Sequence, residues 1–252
     1  MKYQSIKRPV LILLFLAGLI SCEKKTEDFI TEPLSDYMPL EVGKYIIYRL
    51  DSTVFTNLNT TVEVHKYQVK HEVDGATTDG LGRPSYRVVT YLRDSAGNNP
   101  WVPNGSYLVT VTDQQVEVNE NNLRYIKMHL PLKANYTWKG NSYFPDDSYE
   151  PFCHFNSFDN LWEESDYFYD GERADSETIE GETYTDVWTV QQEDITDDSP
   201  IYSARIYGID KYAKGLGLVF REHILWEYQP PGSLPTGVYC GFGIKMWMIS
   251  HN

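Results

Sequence analysis

The stretch from Leu216 to Tyr228 reads LGLVFREHILWEY, and most of it alternates between apolar and polar side chains. Its apolar face carries Leu216, Leu218, Phe220, Ile224 and Trp226. Its polar face carries Arg221, His223 and Glu227. Because successive side chains of a strand point to opposite faces, the pattern predicts a β-strand with its apolar face inward.

The neighbouring stretches show the same pattern. Residues 201–212 alternate as well and predict a long hairpin with 216–228. Residues 238–249 (VYCGFGIKMWMI) predict a further strand, whose inward side chains are Cys240, Phe242, Ile244, Met246 and Met248. The C-terminal part of the chain is therefore expected to be antiparallel β-structure.

Similar alternating segments begin near Pro39, separated by turn residues such as Asp113-Gln114 and Ala96 to Pro100. The apolar positions change parity inside 62–73, which predicts a β-bulge near His65-Lys66. No long amphipathic helix is evident. The prediction is an all-β fold with a single curved or barrel-like antiparallel sheet of about ten strands. One β-rich domain is expected over residues 37–252.

Residues 143–175 break this pattern, because aromatic and acidic side chains interleave there without strand alternation. The segment is expected to be an irregular insertion, either a structured loop or a loop with a short helix. Sugars stack on aromatic faces while polar groups hold their hydroxyls. Trp101, Trp162, Tyr167 and Tyr169 are therefore candidate ligand-binding residues. The alternative is that these rings seal one end of the sheet as core.

The N-terminus has the features of an export signal. Basic residues precede an apolar run over 9–20, which is too short to span a bilayer. Leu19-Ile20-Ser21-Cys22 resembles the bacterial lipobox, which implies a signal peptide at 1–21 and palmitate-type acylation of Cys22. The alternative is an ordinary signal peptide in which the cysteine is incidental.

The residues after Cys22 are polar and predict a flexible tether over 22–36. Glu23 to Asp28 looks like the charged stretch that directs Bacteroidota lipoproteins to the cell surface, although a simple solvated tether is an equal alternative. The expected location is the outer membrane, with a lipid anchor and the domain at either the cell surface or the periplasmic face.

Composition and charge exclude some partners and leave others open. The 252 residues carry a formal net charge of −14, and the pI is about 4.8. A surface this acidic argues against a nucleic-acid partner, because phosphate binding requires clustered basic residues. The expected partners are the membrane, through the N-terminal lipid, and a glycan or an apolar ligand.

No sequence motif indicates a metal, a cofactor or a catalytic residue. Gly-x-Ser-x-Gly, His-Glu-x-x-His and Walker motifs are absent, so no cofactor is expected and the chain is expected not to be an enzyme. Asp194, Asp197 and Asp198 could coordinate calcium, but their spacing does not match an EF-hand. Cys153 and Cys240 could form a disulfide in an oxidising compartment or remain free thiols.

Three segments of the mature chain resemble a set of poorly characterised Bacteroidota envelope lipoproteins. They are Pro39-Leu40-x-x-Gly43 followed by Tyr48, Leu130-Pro131-Leu132 followed by Trp138, and Tyr212-Ala213-x-Gly215-x-Gly217-Leu218-Val219. The resemblance implies a lipoprotein with a curved antiparallel sheet and no assigned chemistry.

Three functions are compatible with these features. The first is a non-catalytic, membrane-anchored binding or assembly protein, for which a glycan is one ligand class. The second is a carrier or chaperone for a lipid or an apolar segment, which requires an apolar cavity above about 300 Å³. The third is a hydrolase with two acidic residues in a cleft, one of them with a raised pKa.

Overall fold

The computed structural model describes residues 32–145, 148–149, 166–199, 202–231 and 236–252. These residues belong to one compact unit, Thr31–Asn252. A short 3-10 helix, Leu34–Asp36, precedes thirteen strands. The strands are β1 Tyr45–Thr56, β2 Thr61–Thr78, β3 Pro84–Asp94, β4 Val102–Val111, β5 Gln115–Glu120, β6 Leu123–His129, β7 Thr137–Trp138, β8 Tyr167–Tyr169, β9 Ala174–Ile179, β10 Glu182–Ser199, β11 Tyr202–Ala213, β12 Gly217–Gln229 and β13 Val238–His251.

All strands belong to one antiparallel sheet, in the order β6-β5-β4-β3-β2-β1-β13-β12-β11-β10-β8-β7, with β9 paired to β10. The all-β, barrel-like prediction is therefore confirmed. The predicted hairpin of 201–212 with 216–228 is β11–β12. The strands missed by the sequence pattern are β7, β8 and β9. β7 and β8 have only 2 and 3 residues, and β9 (ADSETI) has apolar side chains only at its two ends, so none of them shows alternation.

The two edges of this sheet meet across a seam between β6 and the residues around β7. The Ile126 amide donates to the Gly140 carbonyl at 2.7 Å, and the Trp138 indole N–H donates to the Ile126 carbonyl at 2.8 Å. The Tyr169 hydroxyl donates to the His129 carbonyl at 2.8 Å. These bonds nearly close the barrel and occupy backbone groups that an open edge would expose.

The interior of the barrel is not purely apolar. Leu216 and Leu218 line the interior as predicted, but the expected orientation is wrong for residues 221–228, beyond a register shift in the β11–β12 pairing. His223 and Glu227 are buried, and the Arg221 side chain is only 14% exposed. Their register partners on β11 include buried Asp210 and Ala204. The apparently polar face of β12 therefore points inward, where ion pairs and hydrogen bonds satisfy it. On β13, Met246 and Met248 are buried as predicted.

The predicted bulge at His65-Lys66 is wrong in position. β1 and β2 pair in continuous register from Tyr45↔Glu72 to Thr56↔Thr61, and the irregularity of β2 lies at Val73/Gly75 instead. The parity change has another cause. Val62 and Val64 are 46% and 53% exposed, on the part of β2 near the hairpin tip, and they are therefore not part of the core pattern.

Within the insertion predicted at 143–175, Tyr167–Tyr169 is a strand rather than irregular chain, and Ala174 begins β9. Most of that insertion, including Cys153 and Trp162, lies outside the described residues. The predicted signal peptide at 1–21, the acylation site Cys22 and the tether up to Thr31 also lie outside them. In the described part of the chain, no helix is long and apolar enough to cross a bilayer.

Candidate functional site

Trp101 lies on the outer face of the barrel beside a row of side chains that crosses four strands, with a polar residue on three of them and Trp247 on the fourth. Arg49 pairs in register with Gln68 and with Trp247, and Gln68 pairs with Arg93. These positions alternate along their strands with buried Tyr48 and Val69, which places them on the outward side of the sheet.

Cations and aromatic rings are interleaved around Trp101. The guanidinium carbon of Arg93 lies 4.1 Å from the centroid of the Trp101 ring. Lys70 Nζ lies 4.5 Å from the Tyr91 ring and 5.9 Å from the Trp101 ring. Such distances give favourable cation–π contacts and hold flexible side chains in place. We call the surface formed by Arg49, Gln68, Lys70, Tyr91, Arg93, Trp101 and Trp247 the Trp101 face.

Hydrogen bonds that involve Gln68 and the turn after β3 fix the two arginines of this face. The Gln68 amide oxygen accepts from Arg93 Nε at 3.0 Å, and Gln68 Nε2 donates to the Ser95 carbonyl at 3.1 Å. Arg49 Nη1 also donates to that carbonyl. Gly97 has φ +73, and a Cβ there would lie 3.2 Å from Arg93 Nη2, so a larger residue would disturb the arrangement.

Arg49 and Arg93 differ electrostatically from the other arginines that the structure describes. Six of those eight form ion pairs with carboxylates, namely Arg83, Arg87, Arg124, Arg173, Arg205 and Arg221. Arg49 and Arg93 instead donate to a carbonyl and an amide oxygen, which leaves their charges uncompensated by direct pairing. Lys70, the third cation of the Trp101 face, is paired with Glu72 at 2.5 Å. On a chain with a net charge of −14, the two guanidinium groups therefore form a local positive patch.

The other predicted platform residues do not join Trp101. Tyr167 and Tyr169 are 0% exposed and lie in the interior, where their hydroxyls donate to Asn141 Oδ1 and the His129 carbonyl. Their rings pack near Trp138 at centroid distances of 6.0 and 4.9 Å. For these two residues the structure fits the alternative that aromatic rings form the core. Trp162 lies outside the described residues.

A second candidate site is a pocket in the barrel interior, whose lining includes Met38, Pro39 and Leu40 from the segment before β1. Its volume is about 80 Å³. The walls are mainly apolar and include Val73, Val88 and Val109. This volume is well below the roughly 300 Å³ of ordinary ligand sites, so the pocket gives a lipid carrier too little room.

We call this whole pocket the barrel-mouth pocket. Polar groups converge at its inner end. His71 Nδ1 and the Tyr107 hydroxyl are hydrogen-bonded at 2.9 Å, and the Tyr48 ring packs edge-on against His71 at 5.1 Å. Arg221 lines the same space. Burial, with a smaller contribution from the Arg221 charge, lowers the pKa of His71 to about 3. His71 is therefore neutral at physiological pH.

Behind the pocket, Asp210 holds two cations inside the barrel. Its carboxylate accepts from Arg221 Nε at 2.6 Å and from Nη2 at 2.9 Å, and Lys127 Nζ lies 3.6 Å away. Burial opposes ionisation of Asp210, but Arg221 and Lys127 outweigh it and hold the pKa of Asp210 well below its usual value. Burial lowers the pKa of Lys127 to about 8 despite the opposing effect of Asp210. We call Asp210, Arg221 and Lys127 the interior triad.

The structure brings no predicted metal or catalytic residues together in its described part. No group of three or more His, Cys, Asp or Glu side chains there could hold a metal ion. Asp194, Asp197 and Asp198 lie on β10, where neighbouring side chains point to opposite faces, and Asp194 pairs with Arg205.

Carboxylates and cysteines bear on the remaining hypotheses. Each described carboxylate with a resolved pKa shift has its pKa lowered, whereas a glycosidase acid needs a raised pKa.

Cys240 is disulfide-bonded. Because Cys153 lies outside the described residues, the specific pair Cys153–Cys240 stays a prediction.

The sequence made Trp101 a candidate but gave no indication of the cations around it. Arg49, Lys70 and Arg93 lie on three different strands, and only the register brings them together. The available signal was local alternation, which places Tyr91 and Arg93 on one face of a strand. It does not say which residues of another strand lie opposite them.

Lowering the pH from about 7 to about 5 is expected to destabilise the barrel through its buried histidines. Asp210 stays ionised over this range because its pKa is well below the usual value. Folded His71 has a pKa of about 3, and burial also lowers the pKa of His223, whereas an unfolded histidine titrates near 6.5. As the pH falls below about 6.5, the unfolded chain binds protons that the folded chain does not, so stability falls. Each histidine contributes up to about 1.4 kcal/mol per pH unit.

The measurement is the urea midpoint as a function of pH, from about pH 7 to about pH 5. His71→Gln is expected to remove about half of the pH dependence. His251→Gln replaces an exposed histidine that pairs with no carboxylate side chain in the described part of the chain, and this control should retain most of the pH dependence. A wild-type slope in His71→Gln would show that His71 is not held neutral in the fold.

Comparison with known proteins assigns the chain to no family. No family model matches it, and no curated protein matches it. A protein from Bacteroides fragilis, described as exported and YmcC-like in fold, is 12% identical with a TM-score of 0.38, over 84% of this chain and 97% of that chain. A protein from Parabacteroides distasonis, described as a lipoprotein, is 10% identical with a TM-score of 0.36, over 86% and 98%.

A DUF1329 family protein from Desulfovibrio piger is 13% identical with a TM-score of 0.19, over 86% of this chain and 88% of that chain. Similarities of this strength support no statement about family or function. The resemblance to Bacteroidota lipoproteins and the location in the outer membrane therefore stay predictions.

Proposed function

We propose that this chain is a lipid-anchored envelope protein that binds an acidic glycan at the Trp101 face, without catalysis. The lipobox-like segment ending at Cys22 supports the anchor. The observation that carries the ligand class is the position of Arg49 and Arg93. They are the two described arginines without a carboxylate partner, and they lie in one register row beside Trp101.

Each part of the face has a role suited to an acidic sugar. Trp101 and Tyr91 are partly exposed rings, which accept the apolar face of a pyranose. A guanidinium binds a carboxylate or a sulfate through parallel N–H donors, and Arg93 is already oriented by Gln68. Since the cations are held in place before binding, little side-chain entropy is lost on complex formation.

The test is calorimetric titration of the full chain in detergent with oligogalacturonate, an acidic probe, and with maltohexaose, a neutral one. We expect saturable binding of oligogalacturonate that weakens with added salt, because the contact is partly electrostatic. Trp101→Ala should reduce the affinity by about 10- to 100-fold. Arg93→Gln should reduce both the affinity and its salt dependence.

Tyr143→Ala is the matched control. Tyr143 is an exposed ring, 48% accessible, that stacks on a cation elsewhere, with Arg124 at 3.8 Å. Its replacement should leave binding unchanged. Equal affinity for the two probes, or binding that survives Trp101→Ala, would rule out the Trp101 face as an acidic-glycan site.

A further inference from the structure

The barrel-mouth pocket has features of a second binding site, separate from the Trp101 face. It lies inside the barrel, whereas the Trp101 face is on the outer surface. Its walls are formed by side chains of several strands, such as Ile46, Val73, Val88, Val109 and Val118. A pocket with apolar walls and a few convergent polar groups is the usual form of a small-molecule site.

The inner end of the pocket has spare hydrogen-bond donors. Arg221 uses Nε and one N–H of Nη2 for Asp210, and no other acceptor for its N–H groups is found in the described part of the chain. The neutral His71–Tyr107 pair shares one hydrogen bond. In either tautomer one donor proton is left over, on His71 Nε2 or on the Tyr107 hydroxyl. The pocket therefore offers donors to a ligand with acceptor atoms.

Charge decides between a neutral and an anionic acceptor. The interior triad has two cations and one carboxylate, so it holds one surplus positive charge at sites that are 14%, 3% and 0% exposed. The other charged side chains that line the pocket are Lys44 and Glu120, and the charge of Glu120 also acts on Arg221 and Lys127. Counted together with the interior triad, they make three cations and two carboxylates, so one positive charge remains in surplus. An anion at the inner end would compensate the surplus charge.

The volume limits the ligand to a small one. About 80 Å³ is roughly half of the ~150 Å³ engineered cavity that accommodates benzene. A chain of a few carbon atoms fits, whereas a long acyl chain does not.

We propose that the barrel-mouth pocket binds a short-chain aliphatic carboxylate. The carboxylate accepts hydrogen bonds from Arg221 and the His71–Tyr107 pair, and the alkyl group contacts Val73, Val88 and Val109. This site is independent of the glycan proposal, since it shares no residue with the Trp101 face.

The test is calorimetric titration of the full chain in detergent with sodium butanoate and with butanamide, its neutral analogue. We expect butanoate to bind with a Kd of about 1 mM or tighter and butanamide to bind at least about tenfold more weakly. Butanoate should also raise the melting temperature in proportion to its occupancy. Equal binding of both compounds, or no saturation by butanoate up to about 50 mM, would overturn the proposal.

Two further comparisons locate the site and check its size. Val88→Phe places a larger side chain in the pocket and should abolish butanoate binding, whereas Val62→Phe, at an exposed position of the same sheet, should not change it. Because Arg221 belongs to the interior triad, the test does not depend on replacing it. Hexanoate should bind no better than butanoate. An affinity that rises about fourfold for each added methylene would instead indicate an open channel, and it would contradict the proposed size limit of the pocket.

Discussion

Asp210→Asn is expected to lower the free energy of unfolding by about 3–5 kcal/mol, because it leaves two buried cations without a counter-charge. Asp210 is 0% exposed and receives two hydrogen bonds from Arg221, with Lys127 3.6 Å away. For a domain of this size, the loss corresponds to a fall in Tm on the order of 10 °C. Urea unfolding followed by tryptophan fluorescence would measure it.

Asp194→Asn is the matched control for this variant. Asp194, on the neighbouring strand β10, forms an ion pair with Arg205, and the substitution removes its carboxylate. The Asp194 side chain, however, is 53% exposed. An exposed pair contributes about 0–1 kcal/mol, so little change is expected. If both variants lowered the free energy of unfolding by the same small amount, the interior triad would not be a desolvated ion cluster.

A double variant separates the loss of charge balance from the loss of packing. Lys127→Met in the Asp210→Asn background removes one of the two uncompensated cations and keeps an unbranched side chain of similar length. We expect this double variant to be more stable than Asp210→Asn alone. A further loss of stability would show that Lys127 contributes mainly through its contacts with the rings of Tyr125 and Tyr167, at 4.4 and 5.6 Å.

The interior triad also shows what local sequence pattern can and cannot predict. Alternation in 216–228 correctly indicated a strand, because the period of two follows from the backbone alone. The pattern also predicted that the apolar face lies inside, and this was wrong from Arg221 onward. Arg221 looks like a surface residue until β11 places Asp210 opposite it, and that pairing depends on a register that the sequence does not show.

The Trp101 face has the same limitation at the outer surface. A single tryptophan among turn residues suggested a ligand, and the structure does place it at the surface. The charges on which the proposed ligand class rests come from β1, β2 and β3. Tyr167 and Tyr169 looked like equally good platform residues, but the seam buries them. An aromatic side chain alone does not distinguish a binding surface from a core.

The seam itself depends on contacts between residues far apart along the chain, which no local pattern predicts. Gly140 accepts the hydrogen bond from Ile126 and also lies directly against Tyr167. A Cβ at residue 140 would lie 2.4–2.6 Å from three atoms of the Tyr167 ring. That ring has little freedom to move, since it is 0% exposed and its hydroxyl donates to Asn141 Oδ1 at 2.7 Å.

Gly140→Ala is therefore expected to destabilise the barrel by about 2–4 kcal/mol, through overpacking and weakening of the seam hydrogen bond. The Ile126 amide should exchange faster with deuterium than in the wild type, because it faces Gly140 across the seam. Gly75→Ala is the control, since a Cβ there meets no atom within 4 Å. It should change stability by less than about 1 kcal/mol. If Gly140→Ala were as stable as Gly75→Ala and exchange at Ile126 were unchanged, residues 126 and 140 would not hold the two edges of the sheet together, and the barrel would be open at that side in solution.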